Sequence, residues 1–377
     1  MDLTTLAAAV LLAFGLLGTD AVVHSGSVQV SVAPLPKGAK LSIDETTLET
    51  EFDEQLNEIT SVPSVVSPPE IRALRDEGLG MAISEALNVQ NVAFAVQRQM
   101  GYHPDKLRFA LFVENGKLRG LVNGHSHIVG NFQNVIEPNQ GEPIFSFVQR
   151  CALWSGSQLA PYSTTLYLLQ KHSADGDFQD VVALSNHSIE LLPKTPTNPD
   201  RALFENVLGL VALFKNDPKK AHEEFHKAMA SDPRNPVPFL NAAFTDVQLD
   251  KNKEAADRMQ TLIRVAPPEN KVLLSTAYTT WGAAEMGLKD LKGADRVLAM
   301  AHKLNPQSST TLALWSEEKK EAGEAKESAH LNHLAKQAAS AFENYAEVAT
   351  LYFHLAWRDN QPIARSKFAN PGVVTFH

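Results

Sequence analysis

The residues His222-Glu223-Glu224-Phe225-His226 are the part of this chain whose types and spacing could most directly do chemistry. In an H-E-x-x-H pattern on a helix, two histidines one turn apart bind zinc and the glutamate activates a water molecule. The pattern would make the chain a zinc hydrolase with Glu223 as its base. A catalytic zinc also needs a third protein ligand, and Glu254 is the downstream acid that could supply one.

Other reactive side chains give weaker signals. His125 and His127 would point to one side of a strand and could hold a metal ion, but no carboxylate or thiolate partner is near them. Two polar positions of a half-exposed hairpin are the simpler interpretation. The single cysteine, Cys151, lies among apolar residues, which is typical of a small buried hydrophobic residue. No catalytic residue, metal or cofactor is therefore predicted outside the H-E-x-x-H pattern.

Three segments of the chain share one order of small, large apolar and proline residues. The first two copies are 34 residues apart, and the third is displaced by five more that fit the loop 268–272. The small residues would let two helices approach closely, while the larger ones fill the space between them and each proline ends the second helix. The copies are Leu208, Gly209, Ala221, Phe225, Ala228 and Pro233; Ala242, Ala243, Ala255, Met259, Leu262 and Pro267; and Trp281, Gly282, Ala294, Leu298, Ala301 and Pro306.

This register changes the interpretation of the histidines. Ala221, Phe225 and Ala228 take the inward positions of a repeat helix. His222 and His226 are then turned about 100° away, toward another face of that helix. A zinc hydrolase is thereby disfavoured, because a catalytic zinc helix is expected beneath a cleft. His222 and His226 remain weak metal candidates only.

The repeated residues resemble those of tetratricopeptide repeats, whose helical hairpins have the same period. The match covers residues 200–306 and extends less fully over 161–357. The resemblance implies a right-handed α-solenoid in which the first helix of each hairpin lines a groove for a protein or peptide. The expected groove residues are Asn206, Leu210, Leu213, Phe214, Leu240, Asn241, Phe244, Thr279 and Ala283. Apolar side chains with two asparagines suit an extended or helical apolar peptide.

The N-terminal part predicts a mixed α/β unit. Residues 27–33 alternate valine with polar residues and indicate a strand. A helix should follow, with Leu48, Phe52, Leu56 and Ile59 on its apolar face.

A second helical region is predicted over Glu70–Met100. Arg108–Val113 and Leu118–Val129 should then form a hairpin, because Asn115-Gly116 accepts the positive backbone angles of a tight turn. The glycines of this hairpin do not open a helix after a strand, so no phosphate-binding loop is predicted.

From residue 143 the pattern is helical almost to the end. The expected helices outside the three clear repeats are Pro143–Trp154, Tyr162–His172, Phe178–Leu192, Thr310–Ala322, Glu324–Ala339 and Glu343–Trp357. The last of these would cover the end of the stack, whose apolar face would otherwise meet water.

Residues 3–19 carry no charge and are rich in alanine and leucine, and about 17 such residues could just cross a bilayer. A cleaved signal peptide is the alternative, although Met1-Asp2-Leu3 lacks its basic leader. The layout also resembles uncharacterised bacterial cell-envelope repeat proteins. That resemblance implies an anchor in the bacterial inner membrane, with the soluble part in the periplasm.

The expected fold class is α+β, mostly α. We divide the chain into 1–24 (anchor or signal segment), 25–142 (small α/β domain), 143–200 (helical connector with a degenerate repeat), 201–357 (helical repeats) and 358–377 (tail). A net charge of -9 argues against nucleic acid, which requires a basic surface.

Three functions stay open at this point. The first is a membrane-tethered, non-catalytic scaffold that binds a protein or peptide. The second is the zinc hydrolase, and the third is a small-ligand sensor built on the α/β unit.

Overall fold

The computed structural model describes residues 28–33, 35, 44–62, 64, 71–73, 105–126, 129–173, 175–266, 268, 270–338 and 348. Its first elements are β1 (Val28–Val32), α1 (Glu45–Thr60), β2 (Ile71–Ala73), β3 (Asp105–Glu114), β4 (Lys117–Ser126), β5 (Gly130–Ile136) and α2 (Ile144–Leu159). The helices that follow are α3 (Pro161–His172), α4 (Gln179–Leu191), α5 (Pro199–Phe214), α6 (Pro218–Ser231), α7 (Pro236–Gln248), α8 (Asn252–Val265), α9 (Lys271–Gly287), α10 (Leu291–Leu304), α11 (Ser309–Glu321) and α12 (Ala325–Gln337).

The chain forms two compact units, of residues 1–62 with 67–164 and of residues 63–66 with 165–377. No helix among the described residues is long and apolar enough to cross a bilayer. The predicted anchor at 1–24 lies outside those residues.

The described strands of the first unit form a five-stranded sheet in the order β2-β1-β3-β4-β5. β1 runs parallel to β2 and β3, while β3, β4 and β5 are antiparallel. The apolar residues of α1 and α2 share one core with the sheet, and Phe52 stacks on Phe109 with ring centroids 4.3 Å apart. The predicted first strand and the helix carrying Phe52 are confirmed.

The predicted hairpin is also confirmed. Asn115 and Gly116 have φ values of 53° and 77°, and Glu114 pairs with Lys117 across the turn. The sequence did not reveal β5, because Asn134 lies between the core residues Phe132 and Ile136 and interrupts the apolar alternation.

Two expectations for this unit need correction. Residues 71–73, expected to begin a helix, form the short strand β2, which pairs with β1; residues 74–100 lie outside the described part. Helix α2, assigned to a connector, instead places Phe147, Val148 and Cys151 in the core of the sheet. Its apolar face needs a partner, and the sheet and α1 provide one.

Among its described residues, the second unit contains four helical hairpins, α5–α6, α7–α8, α9–α10 and α11–α12, preceded by α4. We call α5, α7, α9 and α11 the first helices and α6, α8, α10 and α12 the second helices. Each first helix packs on its own second helix and on the first helix of the next hairpin. The predicted hairpin over 310–339 is confirmed, whereas the predicted end helix Glu343–Trp357 lies outside the described residues except for Val348.

All four hairpins use the same turn. One residue with positive φ follows the end of each first helix. The backbone N–H of the residue after it donates to the carbonyl oxygen of the residue five positions earlier in the chain than that donor, at 2.8–3.0 Å. This pattern is the Schellman motif, which satisfies carbonyls at a helix end. The positive-φ residues are Asn216, Asp250, Lys289 and Gly323, so the fourth turn follows the third at the 34-residue spacing that separates the first two.

Close helix approach at the small positions is confirmed. A Cβ atom at Gly209 would lie 2.5 Å from the Phe225 ring, and one at Gly282 would lie 2.6 Å from Leu298. The aromatic or leucine side chain therefore occupies the space that a side chain on the first helix would need.

Candidate functional site

The H-E-x-x-H residues lie on α6, which buries Ala221, Phe225 and Ala228 as the register predicts. His226 is exposed, and its ring centroid is 4.3 Å from that of His222. His222 is not simply a surface residue. Its Nδ1 lies 3.1 Å from Oδ1 of Asp246 on α7.

Asp246 is the buried centre of this cluster. Its side chain is 1% exposed, and its Oδ2 accepts hydrogen bonds from Nε and Nη2 of Arg258 at 3.3 and 3.1 Å. Arg258 also lies 3.6 Å from Met229 Sδ through Nη1. The carboxylate therefore joins α6, α7 and α8, which belong to two successive hairpins.

A second ion pair occupies the equivalent positions two repeats later. Asp295 and Lys319 follow His222 and Asp246 by the same number of residues, and Lys319 Nζ lies 2.7 Å from Asp295 Oδ1. Trp315 Nε1 donates to the same oxygen at 2.8 Å. Polar side chains thus link a second helix to the next first helix at both places, which gives His222 a structural role within the stack.

The electrostatics of the cluster favour neutral imidazoles. Burial is the main cause that lowers the pKa of His222, and the cations Arg258 and Lys251 lower it further, while Asp246 opposes them. Burial also lowers the pKa of His226, with His222 and Arg258 adding to the effect. Both side chains therefore resist protonation in the folded chain.

This shift predicts that mild acid destabilises the second unit. Below the ordinary histidine pKa of 6.5 the unfolded chain binds protons that folded His222 and His226 do not, so stability present above pH 6.5 is lost as the pH falls. We expect a lower Tm at pH 5.5 than at pH 7.5. The decrease should be smaller in the variant His222→Gln/His226→Gln, and it should be as large as in the wild type in the control His187→Gln, at an exposed position of α4. Equal decreases in wild type and double variant would contradict this assignment.

The zinc hypothesis lacks its ligand set. In the described part of the chain, no three His, Cys, Asp or Glu side chains converge as a metal ion requires. Glu254 is exposed near the start of α8, and the carboxylate that does reach His222, Asp246, is already bound by Arg258. Sequence reasoning missed Asp246 and Arg258, although an acid on an otherwise apolar first helix is a signal for them.

The remaining reactive residues are placed as follows. His125 is exposed, with Nδ1 3.0 Å from Asn131 Oδ1, and His127 lies outside the described residues. Cys151 is fully buried, and burial raises its pKa to about 12. The interpretation of Cys151 as a small buried hydrophobic residue is confirmed.

The nine predicted groove residues are all buried, and Ala283 is the most exposed of them at 7%. Asn241 Nδ2 donates to Asn206 Oδ1 at 2.8 Å, and the hydroxyls of Thr279 and Thr311 are 2.7 Å apart. The structure therefore brings Asn206 and Asn241 together across the first helices. Their use as a peptide groove stays a prediction, with one condition: a peptide can bind there only by replacing contacts that these side chains already make.

Burial differs sharply between first and second helices. Residues 240–247 of α7 and 209–214 of α5 are continuously buried, which means that atoms surround each helix, since one packed face would bury only every third or fourth residue. Second helices behave as that rule expects: α8 buries only Ala255, Ala256, Met259 and Leu262.

The second unit is a tetratricopeptide-like stack of helical hairpins, and the chain as a whole is of mixed α+β class. Among solved structures, PilF of Pseudomonas aeruginosa is 17% identical over 55% of this chain and 88% of its own, with a TM-score of 0.39. MamA is 16% identical over 45% and 92%, with a TM-score of 0.35. YrrB, described as a TPR protein with an unusual peptide-binding site, is 15% identical over 48% and 88%, with a TM-score of 0.33.

These scores are too low to carry an argument, so the hairpin register and its repeated turn support the assignment. No protein-family model and no curated protein matches the chain.

Proposed function

We propose that this protein is a non-catalytic scaffold whose hairpins bind a protein or peptide partner, and that residues 1–24 tether it to a bacterial inner membrane. The observation that carries the proposal is the stack of four hairpins in one register, with identical turns after each first helix. Stacked hairpins of this kind form extended surfaces suited to binding polypeptides.

The partner chemistry follows from the first helices. Leu210, Leu213, Phe214 and Phe244 are apolar, and Asn206 and Asn241 lie between them with amide groups that could bond a peptide backbone. An apolar peptide, extended or helical, suits this set. It must compete with the contacts that now bury these side chains.

Photo-crosslinking in the full chain tests the binding surface. A photoreactive phenylalanine analogue in place of Phe244 should yield an adduct with a second polypeptide in cells. The same analogue in place of Met300, which is 45% exposed on the second helix α10, serves as the control and should not. Adducts from position 300 alone, or from neither position, would contradict the proposed surface.

A cysteine-labelling experiment tests on which side of the membrane the soluble part lies. Cys151 is buried and its pKa is raised to about 12, so it should stay unreactive in the folded protein. The substitution Leu191→Cys introduces a thiol at a position that is 51% exposed. A membrane-impermeant maleimide should label this variant in intact, outer-membrane-permeabilised cells if the soluble part is periplasmic. Labelling only after lysis would place it in the cytoplasm.

A further inference from the structure

The strand β5 forms one edge of the sheet in the first unit, and it lacks the features that usually prevent an edge from pairing with another chain. Exposed edges are normally short, charged, bulged or interrupted by proline. β5 has seven residues, none of them charged and none a proline, and its register with β4 runs from Gly130 to Ile136 without a bulge. The opposite edge, β2, has three residues. Of the two edges of the described sheet, β5 is therefore the one that can accept another strand.

The tight turn between β3 and β4 determines which backbone groups of β5 point outward. Both central residues of this turn have positive φ, so it is a type I′ turn, in which the N–H of Lys117 bonds β3. Backbone groups alternate between the two sides of a strand, so the even-numbered residues of β4 bond β5. Val122 pairs with Asn134, so the even-numbered residues of β5 bond β4. Three residues of β5 therefore turn both their N–H and their C=O groups outward: Asn131, Gln133 and Val135.

These six outward groups make no backbone hydrogen bond within the described part of the chain. The side chains of the same three residues are exposed, on the face of the sheet opposite α1 and α2. The next outward carbonyl, that of Glu137, already accepts a hydrogen bond from Arg150 Nη2 at 2.7 Å. The unpaired edge of β5 is thus an extended stretch of five residues, 131–135.

A second copy of the same strand supplies the matching groups. When two β5 strands run antiparallel about a two-fold axis at Gln133, this residue lies opposite its counterpart, and Asn131 lies opposite Val135 of the other copy. All three positions then form hydrogen-bonded pairs with two bonds in each, so the six outward groups of each copy are satisfied. No like charges meet across the pair, because the strand is uncharged.

Such a pair of edges closes on itself. A two-fold axis uses the same edge of both copies, so the combined sheet, with five strands from each copy, ends at β2 on both sides. A strand of three residues is a poor template for a further strand. Association therefore stops at two copies, and the chain can keep an unprotected β5 edge without growing into fibres.

We propose that the protein forms a two-fold dimer in which the β5 edges of two copies pair in antiparallel orientation, with Gln133 on the axis. This dimer concerns the first unit, and it does not depend on the scaffold function proposed for the hairpins. Backbone bonds with little buried apolar surface make a weak interface, so we expect monomer and dimer to exchange in the micromolar range of concentration.

Replacing Gln133 with proline in the full chain tests the backbone pairing. Proline removes the outward N–H and leaves the bonds from β5 to β4 intact, and edge strands tolerate proline at such positions. Analytical ultracentrifugation should show a concentration-dependent dimer for the wild type and an association at least about tenfold weaker for Gln133→Pro. The control Gln133→Thr keeps the N–H and suits a strand, so it should associate like the wild type. Circular dichroism checks that both variants fold.

Three results of this experiment would overturn the proposal. One is a wild type that stays monomeric at every concentration, which would leave the edge to a foreign strand. Another is association that Gln133→Pro does not weaken, and the third is equal weakening by Gln133→Pro and Gln133→Thr.

Cysteine cross-linking tests the register without removing any backbone group. The native Cys151 is buried and its pKa is raised to about 12, so it should not react. In the proposed pair the two Cα atoms at position 133 lie about 5.5 Å apart, a separation that a disulfide can bridge. Mild oxidation should therefore join two copies of Gln133→Cys.

The neighbouring outward positions provide the matched controls. Asn131→Cys should not join to itself, because its partner in the dimer is Val135, whereas a mixture of Asn131→Cys and Val135→Cys should form the mixed disulfide. No disulfide with Gln133→Cys, or equal self-joining of Asn131→Cys and Gln133→Cys, would overturn the proposed pairing.

Discussion

Replacing Phe225 with alanine is expected to lower the free energy of unfolding of the second unit by about 3–5 kcal/mol. Phe225 is fully buried on α6 and fills the space beside Gly209. Because Gly209 has no side chain, it cannot fill the cavity that the substitution leaves. Urea unfolding followed by circular dichroism and tryptophan fluorescence measures the change. The same substitution at Phe145, which is 42% exposed, is the control and should cost less than about 1 kcal/mol.

Pairing with Gly209 makes this prediction specific to the repeat. Gly209→Ala alone should destabilise by about 1–3 kcal/mol, because its Cβ would lie 2.5 Å from the Phe225 ring. In the background Phe225→Met the same change should cost much less, since the second hairpin already combines Ala243 with Met259, both buried. Additive effects of the two substitutions would show that the glycine and the phenylalanine do not share one space.

The sequence predicted these contacts because they repeat. Gly209 with Phe225 and Gly282 with Leu298 occur at the same separation along the chain. Such a repeat can be recognised in the sequence without knowing how the rest of the chain folds. The hairpin at Asn115-Gly116 was predictable for a similar reason, since its signal lies within two residues. Local and periodic signals therefore determined most of the helical fold.

The contacts of Asp246 were not predictable in this way. Arg258 and His222 reach it from two other helices, and the side chain that each helix face meets depends on how successive hairpins pack. Glu254, the acid considered as a possible third zinc ligand, lies near the start of α8, whereas the acid that contacts His222 is Asp246 on α7. The hydrogen bond from Asn241 to Asn206 likewise joins two successive hairpins, so the sequence of one hairpin does not predict it.

The equivalent polar pairs also explain how a metal-like motif arises in a repeat helix. His222 and Asp295 hold the same register position, and each contacts a charged side chain on the next first helix, Asp246 or Lys319. A polar residue is useful there because the position lies at the edge of the interface between hairpins. The histidine at 222 needs no metal to account for its place.

Replacing Asp246 with alanine is therefore expected to be the most damaging change in this cluster, at about 3 kcal/mol or more. The substitution leaves the guanidinium of Arg258, which is 19% exposed, without its carboxylate in a mostly buried position. The added change Arg258→Leu should recover part of the loss, because it removes the unpaired charge. Chemical unfolding of the single and double variants measures both effects.

The matched comparison is Asp295→Ala, which removes the acid of the equivalent pair two repeats on. Asp295 is 42% exposed, and Lys319 keeps Glu324 at 3.3 Å and Glu318 at 3.6 Å as partners. We expect Asp295→Ala to lower the free energy of unfolding by at most about 1 kcal/mol, and added salt should make this loss smaller. The loss caused by Asp246→Ala should change little with salt, because that pair is buried. If Asp246→Ala and Asp295→Ala destabilise the protein equally, burial does not distinguish the two pairs. Asp246 would then contribute no more to stability than an exposed ion pair does. A large difference would identify Asp246 as the point on which the packing of the first two hairpins depends.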